Sequence, residues 1–266
     1  MKKREIMASD ISPRAEISPK ATIGNNCKIF PFVYIEDDVV IGDNCIIFPF
    51  VSILNGTRMG KGNKVHQGSV IAALPQDFHF QGERSECIVG DNNVIRENVV
   101  INRATHTGGQ TRIGNGNFLM EGAHISHDTK VGNNCVFGYG TKIAGDCEIG
   151  NGVIFSSSVI ANAKTRIGEG SMVQAGTTFS KDVPPYIVAG GTPVAYGGPN
   201  TTMMTAYGIT EKVQKHIANA YRLVFNGQNS VFDAVLQIKE QVPDSQEIQN
   251  ITNFIEHTQL GIIGKI

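Results

Sequence analysis

Large apolar residues recur every six positions along most of the chain. Stepping by six from Ile11 to Phe179 meets a large apolar residue at 25 of 29 positions, and only Asp77, Glu83 and Thr107 interrupt the pattern outright. A small or β-branched residue follows four positions later, which gives each hexad a second inward-facing position. Neither the 3.6-residue period of a helix nor the two-residue period of a strand explains a strict six. Six residues fit one short strand and one turn.

A dipeptide of an apolar residue and glycine repeats at a longer interval. It stands at Ile23, Ile41 and Met59, and again at Ile113, Val131, Ile149 and Ile167, in steps of 18 residues. The chain should therefore wind three flat faces per coil, with residues 18 apart stacked. We predict an all-β, left-handed parallel β-helix, a triangular prism of about ten coils at roughly 4.8 Å per coil. The left hand is an exception to the usual right-handed crossover.

Two segments interrupt the prism. The stretch AALPQDFHFQGERSE, which starts at residue 72, predicts an external loop over residues 72–88, and HTGGQT (106–111) predicts a shorter protrusion. Long loops on a rigid scaffold tend to carry function. The period stops after KDVPPYIVAGGTP. We therefore assign residues 1–190 to a β-helix catalytic domain and residues 191–266 to a small C-terminal helical domain.

The C-terminal segment predicts three helices. Thr210 can cap the first, which should end near Gly227, and Ser230 can cap the second, which Pro243 should end. The stretch SQEIQNITNFIEHT predicts the third. With five Lys and Arg against six Asp and Glu, this segment is not a strongly basic platform.

Composition excludes several classes of function. The 266 residues carry a formal charge of -1, which implies no nucleic-acid partner and no anionic membrane surface. No apolar stretch approaches the length of a signal peptide or spanning helix, so we expect a soluble, cytoplasmic protein. All five cysteines fall at the small inward position of a hexad. They should be core residues rather than disulfides, zinc ligands or a nucleophile.

The stretch MEGAHISHDTKVGN (120–133) carries the candidate chemistry. The hexad register turns His124, His127 and Asp128 outward at a corner of the prism. An 18-residue step places Gly145 above His127, and the same step backwards predicts His106 below His124.

Three interpretations of these residues compete. They can be solvated corner residues. They can be a metal site of His106, His124 and His127 between protomers, although the ligand spacing of hexapeptide-repeat carbonic anhydrases is absent. Or His127 can be a general base, oriented by an adjoining carboxylate, with a glycine N–H to hold the oxyanion that forms.

Longer stretches resemble the UDP-N-acetylglucosamine O-acyltransferase family over nearly the whole chain. They are QDFHFQGE, IRENVVINRATHTGG, LMEGAHISHD, KIAGD, KDVPPY and the helical segment with ANAYRLVF. The resemblance implies transfer of a long-chain (R)-3-hydroxyacyl group from acyl carrier protein to the 3-hydroxyl of UDP-N-acetylglucosamine, the first step of lipid A synthesis, without a cofactor or metal. Because a prism with three flat faces exposes long sheet surfaces, we expect a homotrimer in which the crevice between prisms completes each site.

The resemblance also implies roles for individual residues. His127 matches the base, Asp128 its orienting carboxylate and Gly145 the oxyanion donor. Substrate contacts are implied for Gln76, Asp77, His79, His124, Asp146, Asn162 and Asn200, and Ala175 stands at the position that measures the acyl chain. Because alanine adds only one methyl group there, a long chain is expected.

Some positions depart from the family's pattern. His79 replaces a usual lysine, Asp146 replaces a histidine, and Asn162 with Ala163 replaces a His-Gln pair. Tyr207 or Ala206 stands where an arginine approaches the diphosphate. These departures concern the nucleotide-sugar contacts, whereas the base and the oxyanion donor are intact.

Two other functions remain open from the sequence. One is a hexapeptide-repeat acyltransferase that uses an acyl-CoA donor, which donor dependence would distinguish. The other is a non-enzymatic or metal-binding prism, which metal analysis would test.

Overall fold

Short strands separated by tight turns fill the prism region. The computed structural model describes residues 9–226 and 230–265. The strands before the first insertion are β1 (Asp10–Ile11), β2 (Glu16–Ile17), β3 (Thr22–Ile23), β4 (Lys28–Ile29), β5 (Tyr34–Ile35), β6 (Val39–Ile41), β7 (Ile46–Ile47), β8 (Ser52–Ile53), β9 (Thr57–Met59), β10 (Lys64–Val65) and β11 (Val70–Ala73). Those between the two insertions are β12 (Glu86–Val89), β13 (Val94–Ile95) and β14 (Val100–Asn102). Those after the second are β15 (Gln110–Ile113), β16 (Phe118–Leu119), β17 (His124–Ile125), β18 (Lys130–Val131), β19 (Val136–Phe137), β20 (Lys142–Ile143), β21 (Glu148–Ile149), β22 (Ile154–Phe155), β23 (Ile160–Ala161), β24 (Arg166–Ile167), β25 (Met172–Val173), β26 (Thr178–Phe179), β27 (Ile187–Gly190) and β28 (Ala195–Pro199).

These strands stack into three parallel sheets, the faces of a triangular prism. Face A holds β1, β4, β7, β10, β13, β16, β19, β22, β25 and β27; face B holds β2, β5, β8, β11, β14, β17, β20, β23 and β26; face C holds β3, β6, β9, β12, β15, β18, β21 and β24. Strand β28 ends face A by pairing antiparallel with β27. Each coil passes from A to B to C, and the winding is left-handed. The predicted fold is therefore confirmed.

The glycines serve two geometric needs of this prism. A Cβ on Gly132 would lie 2.8 Å from the backbone nitrogen of Asn151 in the next coil, so the apolar-glycine repeat marks where coils approach most closely. The turns also need left-handed residues, such as Gly116 (φ 67°) and Asn134 (φ 56°), which glycine and asparagine adopt most readily.

The interior combines apolar columns with a column of asparagines. Isoleucines and the stacked rings of Phe137 and Phe155 fill the centre. Three inward positions that the pattern assigns to small or β-branched residues instead hold Asn63, Asn93 and Asn117, all buried. Their side chains hydrogen-bond the backbone and one another across successive coils. This inner asparagine ladder pairs most of its polar groups inside the core, and Nδ2 of Asn117 is the one amide nitrogen of these three side chains without a partner among the described residues.

Both insertions leave the prism where the chain passes from face B to face C, which we name the BC corner. The first, residues 74–85, is narrower than the predicted loop 72–88, because Ala73 still belongs to β11 and Cys87 pairs with Thr57 of β9. The second, residues 103–109, is offset from the predicted protrusion 106–111. Gln110 and Thr111 already pair with β12 there.

Within residues 9–226 and 230–265, four helices follow the prism, one more than predicted. They are α1 (Thr201–Ala206), α2 (Glu211–Asn226), α3 (Val231–Gln241) and α4 (Gln246–Glu256). The sequence pattern missed α1 because it is only six residues long and carries two threonines at its start. Ser230 caps α3 as predicted, accepting the N–H of Asp233, whereas Gly227 lies outside the described residues. The strand β28 also shows that face A extends past the predicted domain boundary at residue 190.

The helices are fastened to the end of the prism. Asp182 is buried and accepts hydrogen bonds from the backbone N–H of Arg166 (2.8 Å) and the hydroxyl of Thr258 (2.7 Å). The Tyr221 hydroxyl of α2 donates to the carbonyl of Pro185 at 2.5 Å. In the parts of the chain that the structure describes, no helix has the length and apolar character to cross a bilayer.

Candidate active site

Successive turns of the BC corner bring together most of the predicted site. The part of the corner that carries the predicted residues comprises, in chain order, residues 74–85, 103–109, 126–129, 144–147 and 162–165. The last three turns lie one above another, since His124 pairs with Lys142 and Lys142 with Ile160. The two insertions belong to the two coils directly below, since Val70 pairs with Val100 and Val100 with His124. Both long segments therefore emerge beside His127.

His127 and Asp128 form a hydrogen-bonded pair on the third turn. The Nδ1 atom of His127 lies 3.0 Å from Oδ2 of Asp128, and the two side chains are 13% and 9% exposed. Asp128 has a left-handed backbone (φ 59°), a conformation that aspartate tolerates. A carboxylate on Nδ1 favours the tautomer that carries its proton there. Nε2 is then left with a lone pair that can accept a proton.

Gly145 lies against the His127 ring from the coil above. A Cβ on this glycine would stand 2.4 Å from Cε1 and 2.7 Å from Nε2 of His127, so no side chain fits. Gly145 is buried, and within the described residues its N–H donates no hydrogen bond. Buried N–H groups without a partner are rare because they are costly. This one is free to bind a developing oxyanion.

The first insertion brings a second carboxylate toward His127. Oδ2 of Asp77 lies 3.9 Å from Nε2 of His127, the nitrogen opposite the one that faces Asp128. The other oxygen of Asp77 accepts the backbone N–H of His79 at 2.7 Å. That bond, helped by the His79 ring, holds the pKa of Asp77 below its usual value. An ionised carboxylate therefore lies on the side from which a substrate must reach Nε2.

The remaining predicted residues at this corner have exposed side chains with few contacts. His79 is 97% exposed, and Gln76 is exposed with no hydrogen bond to the described part of the chain. The backbone N–H of Asp146 donates to the carbonyl of His127 (3.1 Å), and the Asp146 side chain is exposed. Asn162 is exposed one coil above. Within the described residues, none of these four side chains forms a hydrogen bond or ion pair with His127.

His124 lies on face B next to this corner. Burial lowers the pKa of His124, and nearby Lys142 and His127 lower it further. The prediction that His106 lies below His124 is wrong: Val100 pairs with His124, because residues 103–109 lengthen that coil. His106 instead places Nδ1 3.2 Å from Oδ1 of Asp128.

Asn200 and Ala175 lie on other corners of the same prism. Asn200 is buried and caps α1, accepting the Met203 N–H (3.3 Å) and donating to the carbonyl of Gly170 (3.0 Å). Ala175 is exposed on the turn between β25 of face A and β26 of face B. Within one chain the structure does not bring these two residues together with His127.

Thr105 is a site residue that the sequence analysis missed. Its backbone N–H and its hydroxyl both donate to Oδ2 of Asp128, at 3.0 and 2.7 Å. The segment NRATHTGG contributed to the family resemblance, but this contact spans 23 residues. An 18-residue step from Asp128 does not lead to Thr105. The sequence does not show how many residues of the insertion leave the coil, so the residues that stack below Asp128 could not be predicted.

Metal ligands, cavities and cysteines are the other features that could mark a site in the described structure. Within residues 9–226 and 230–265, no group of three or more His, Cys, Asp or Glu side chains is arranged to hold a metal ion. A cavity of about 550 Å³ lies elsewhere, between Arg112 and Arg166 of face C and Phe254 of α4. The five cysteines are buried and unpaired. Burial raises the pKa of Cys147, the thiol nearest in sequence to Gly145, which disfavours a thiolate nucleophile.

Fold and site together define an acyltransferase of the hexapeptide-repeat class. The bacterial transferase hexapeptide repeat matches residues 20–47 and 110–145. Residues 182–263 match the second domain of UDP-N-acetylglucosamine O-acyltransferase.

Similarity to individual proteins extends over nearly the whole chain. An acyl-[acyl-carrier-protein]–UDP-N-acetylglucosamine O-acyltransferase from Halorhodospira halophila is 34% identical over 95% of this chain and 98% of its own length. One from Chlamydia abortus is 37% identical over 92% of this chain and 88% of its own. The solved structure of a UDP-N-acetylglucosamine acyltransferase from Bacteroides fragilis is 46% identical, with a TM-score of 0.94 over 95% of this chain and 99% of that one. The chain belongs to the UDP-N-acetylglucosamine O-acyltransferase family.

Proposed function

We propose that the protein transfers a long-chain (R)-3-hydroxyacyl group from acyl carrier protein to the 3-hydroxyl of UDP-N-acetylglucosamine, the first step of lipid A synthesis. Family membership supports the reaction and both substrates. The observation that carries the chemistry is the His127 ring, bonded to Asp128 and lying against the free N–H of Gly145. We expect the reaction to occur in the cytoplasm.

The base step follows from the tautomer of His127. Nε2 removes the proton of the sugar hydroxyl as its oxygen attacks the thioester carbonyl, which forms the new C–O bond. The imidazolium that results is stabilised by the Asp128 carboxylate at 3.0 Å. No covalent acyl-enzyme is required, in keeping with the burial that raises the pKa of the Cys147 thiol.

The oxyanion step uses the backbone of the next coil. Attack converts the carbonyl oxygen into an oxyanion, and the N–H of Gly145 can hold it without rearranging, since that group has no other partner in the described residues. Collapse then breaks the C–S bond. His127 returns its proton to the leaving thiolate, so the enzyme ends as it began.

Substrate contacts belong to the exposed side chains around the base. Asp77 lies next to Nε2, so its carboxylate can accept a hydrogen bond from a sugar hydroxyl or amide. Gln76, His79 and His124 border the same space, and Asp146 and Asn162 extend it upward along the corner. We propose that these residues bind the nucleotide sugar, with the neutral form of His124 favoured by its lowered pKa.

A second copy of the chain is needed to complete this site. Asn200 and Ala175 lie on corners of the prism other than the one that carries His127. We propose a homotrimer in which these two residues of one protomer face the BC corner of the next. The prism would carry the chemistry, with residues 191–266 as a helical appendage that contributes Asn200.

Donor and acceptor preference test this function. The purified protein is assayed with UDP-N-acetylglucosamine against a series of acyl carrier protein thioesters and the matching CoA thioesters. We expect turnover with the long 3-hydroxyacyl carrier protein thioesters. Faster turnover with acyl-CoA would favour the alternative, a CoA-dependent acyltransferase of the same fold.

A further inference from the structure

Asp128 owes its orientation to the second insertion. Its Oδ2 atom receives three hydrogen bonds: one from Nδ1 of His127 (3.0 Å) and two from Thr105, through the backbone N–H (3.0 Å) and the hydroxyl (2.7 Å). Its backbone N–H donates to the hydroxyl of Thr111, one coil below, at 2.9 Å. The aspartate is thus held from below at both its main chain and its side chain.

The other carboxylate oxygen makes a much weaker contact. Oδ1 of Asp128 is buried and has no aligned hydrogen-bond partner within the described residues. His106 Nδ1 lies 3.2 Å away, at ion-pair distance but outside hydrogen-bond alignment, and its side chain is 69% exposed. A buried carboxylate oxygen in this state does little to fix the carboxylate plane. The orientation of the plane therefore depends on the contacts to Oδ2.

The turn that carries Thr105 is itself rigidly held. Val100 pairs with His124 across 24 residues, whereas Arg112 pairs with Lys130 across 18, so the extra residues form the turn 103–109 below Asp128. The Gly109 N–H donates to the carbonyl of His106 (2.8 Å), closing the turn, and the Gly108 N–H donates to the carbonyl of Arg84 (2.9 Å). The hydrogen-bonded turn 103–109 therefore holds Thr105 in place below Asp128.

We propose that Thr105 is a positioning residue for catalysis, which acts on His127 through Asp128. Its hydroxyl donates a charge-assisted hydrogen bond that holds Oδ2 in the plane of the His127 ring. This selects the tautomer with a proton on Nδ1 and keeps Nε2 directed at the acceptor hydroxyl. The inference rests on the proposed function for its kinetic consequence, whereas the hydrogen-bond network is independent of substrate identity.

Three variants separate this role from a purely structural one. Thr105→Val removes the hydroxyl at nearly constant volume, Thr105→Ser retains it, and Thr107→Val makes the same change on an exposed threonine of the same turn that has no hydrogen bond among the described residues. Thr105→Val should lower kcat roughly 10- to 100-fold, the usual range for one hydrogen bond to a charged group, with KM for UDP-N-acetylglucosamine nearly unchanged. Thr105→Ser and Thr107→Val should stay within about threefold of the parent.

A spectroscopic readout accompanies the kinetics. The His127 Nδ1–H should give a downfield proton resonance, assigned by its loss in His127→Gln. In Thr105→Val this resonance should shift upfield or exchange faster with water, and in Thr107→Val it should not change. Thr105→Val with parental kcat, an unchanged resonance, or an equal loss of kcat in Thr105→Ser would each overturn the proposal. If the protein proves inactive on UDP-N-acetylglucosamine, the resonance still decides the role of Thr105.

Discussion

At the scale of single residues, the site depends on a residue that has no side chain. The ring of His127 occupies the space that a Cβ of Gly145 would fill, at 2.4 Å from Cε1. The φ angle of Gly145 is not in the left-handed region, so the backbone conformation is allowed for alanine. The added Cβ would nevertheless clash with the His127 ring. Gly145→Ala should therefore displace the base and lower kcat by about 100-fold or more, since small misplacements of a reacting group have this cost.

The control for this substitution is another glycine. Gly264→Ala introduces a Cβ with nothing within 4 Å, and it should leave kcat unchanged. Circular dichroism should match the parent for both variants, and thermal melting should match it for Gly264→Ala. Parental kcat in Gly145→Ala would contradict the close contact between the ring and the backbone.

His124 predicts a dependence of stability on pH. Burial lowers the pKa of His124 in the folded protein, so below about pH 6.5, the ordinary histidine value, the unfolded chain binds a proton that the folded chain resists. Stability is then fully present above the unfolded pKa and is lost as pH falls toward the folded one. Between pH 7.5 and 5, His124→Asn should show a smaller fall in melting temperature than the parent.

Two comparisons sharpen this test. Burial lowers the pKa of His66 as well, so some pH dependence should remain in His124→Asn. His79→Asn makes the same substitution on a 97% exposed side chain and serves as the control for exchanging a histidine for asparagine. An identical slope in the parent and in His124→Asn would contradict the assignment.

The sequence predicted the residues that follow the 18-residue step and missed those that do not. The stacking of Gly145 on His127 needed only this step, because no insertion lies between them. His106 and Thr105 belong to a coil lengthened by an insertion, so their contacts with Asp128 could not be read from spacing. Asn200 was assigned by resemblance, and its second role as the cap of α1 required the structure.

At the scale of elements, the six-residue period predicted the positions of the strands far more accurately than the ends of the insertions. Each hexad repeats the same strand and turn, so an error in one strand would be exposed by its neighbours in the stack. The loop 74–85 has no such neighbours, and its ends were placed too wide by a few residues. Helix α1 was missed because six residues carry almost no periodic signal.

The inner asparagine ladder should stabilise the prism more than the similar hydrogen bond that exposed Asn115 forms on the surface. Oδ1 of buried Asn93 accepts the N–H of Asn117 at 2.8 Å, while Oδ1 of exposed Asn115 accepts the N–H of Asp91 at 2.7 Å. Removing the first leaves buried polar groups without partners, whereas water replaces the second. Asn93→Ala should cost about 1–3 kcal/mol of the free energy of unfolding, and Asn115→Ala about 0.5 kcal/mol.

Urea unfolding at one fixed protomer concentration measures this difference, because stability of an oligomer depends on concentration. The two substitutions change the same residue type and remove the same kind of hydrogen bond. Equal losses in the two variants would mean that the ladder adds nothing specific to the core.

At the scale of the whole molecule, the acyl chain should extend away from His127 toward another protomer. Ala175 is exposed at the corner between faces A and B, where a larger side chain can be accommodated without disturbing the core. We propose that the acyl chain lies in a groove between two protomers that ends at Ala175. Ala175→Met should shorten this groove and shift kcat/KM toward shorter 3-hydroxyacyl donors, since each buried CH₂ contributes about 0.8 kcal/mol. KM for UDP-N-acetylglucosamine should not change. An unaltered length profile would place the acyl chain elsewhere.

Mixed oligomers decide whether one site contains residues from two protomers. Alone, His127→Ala should be inactive with every donor because it lacks the base, with kcat reduced roughly 10²–10⁴-fold. Alone, Ala175→Met should retain activity with short donors and have little with long ones. If His127 of one protomer faces Ala175 of the next, co-refolding the two variants creates sites with an intact base and an open groove. Long-chain activity should then reappear in the mixture.

The same mixture distinguishes the alternatives. If each chain formed its whole site, no combination of these two variants could use a long donor well, and the mixture would gain no activity with it. Mixing His127→Ala with His127→Gln controls for activity gained from refolding itself. Sedimentation of the mixture should show trimers, and a stable monomer that retains full activity would contradict a shared site. The corners that carry His127 and Ala175 are separate within one prism, so we expect the mixture to be active.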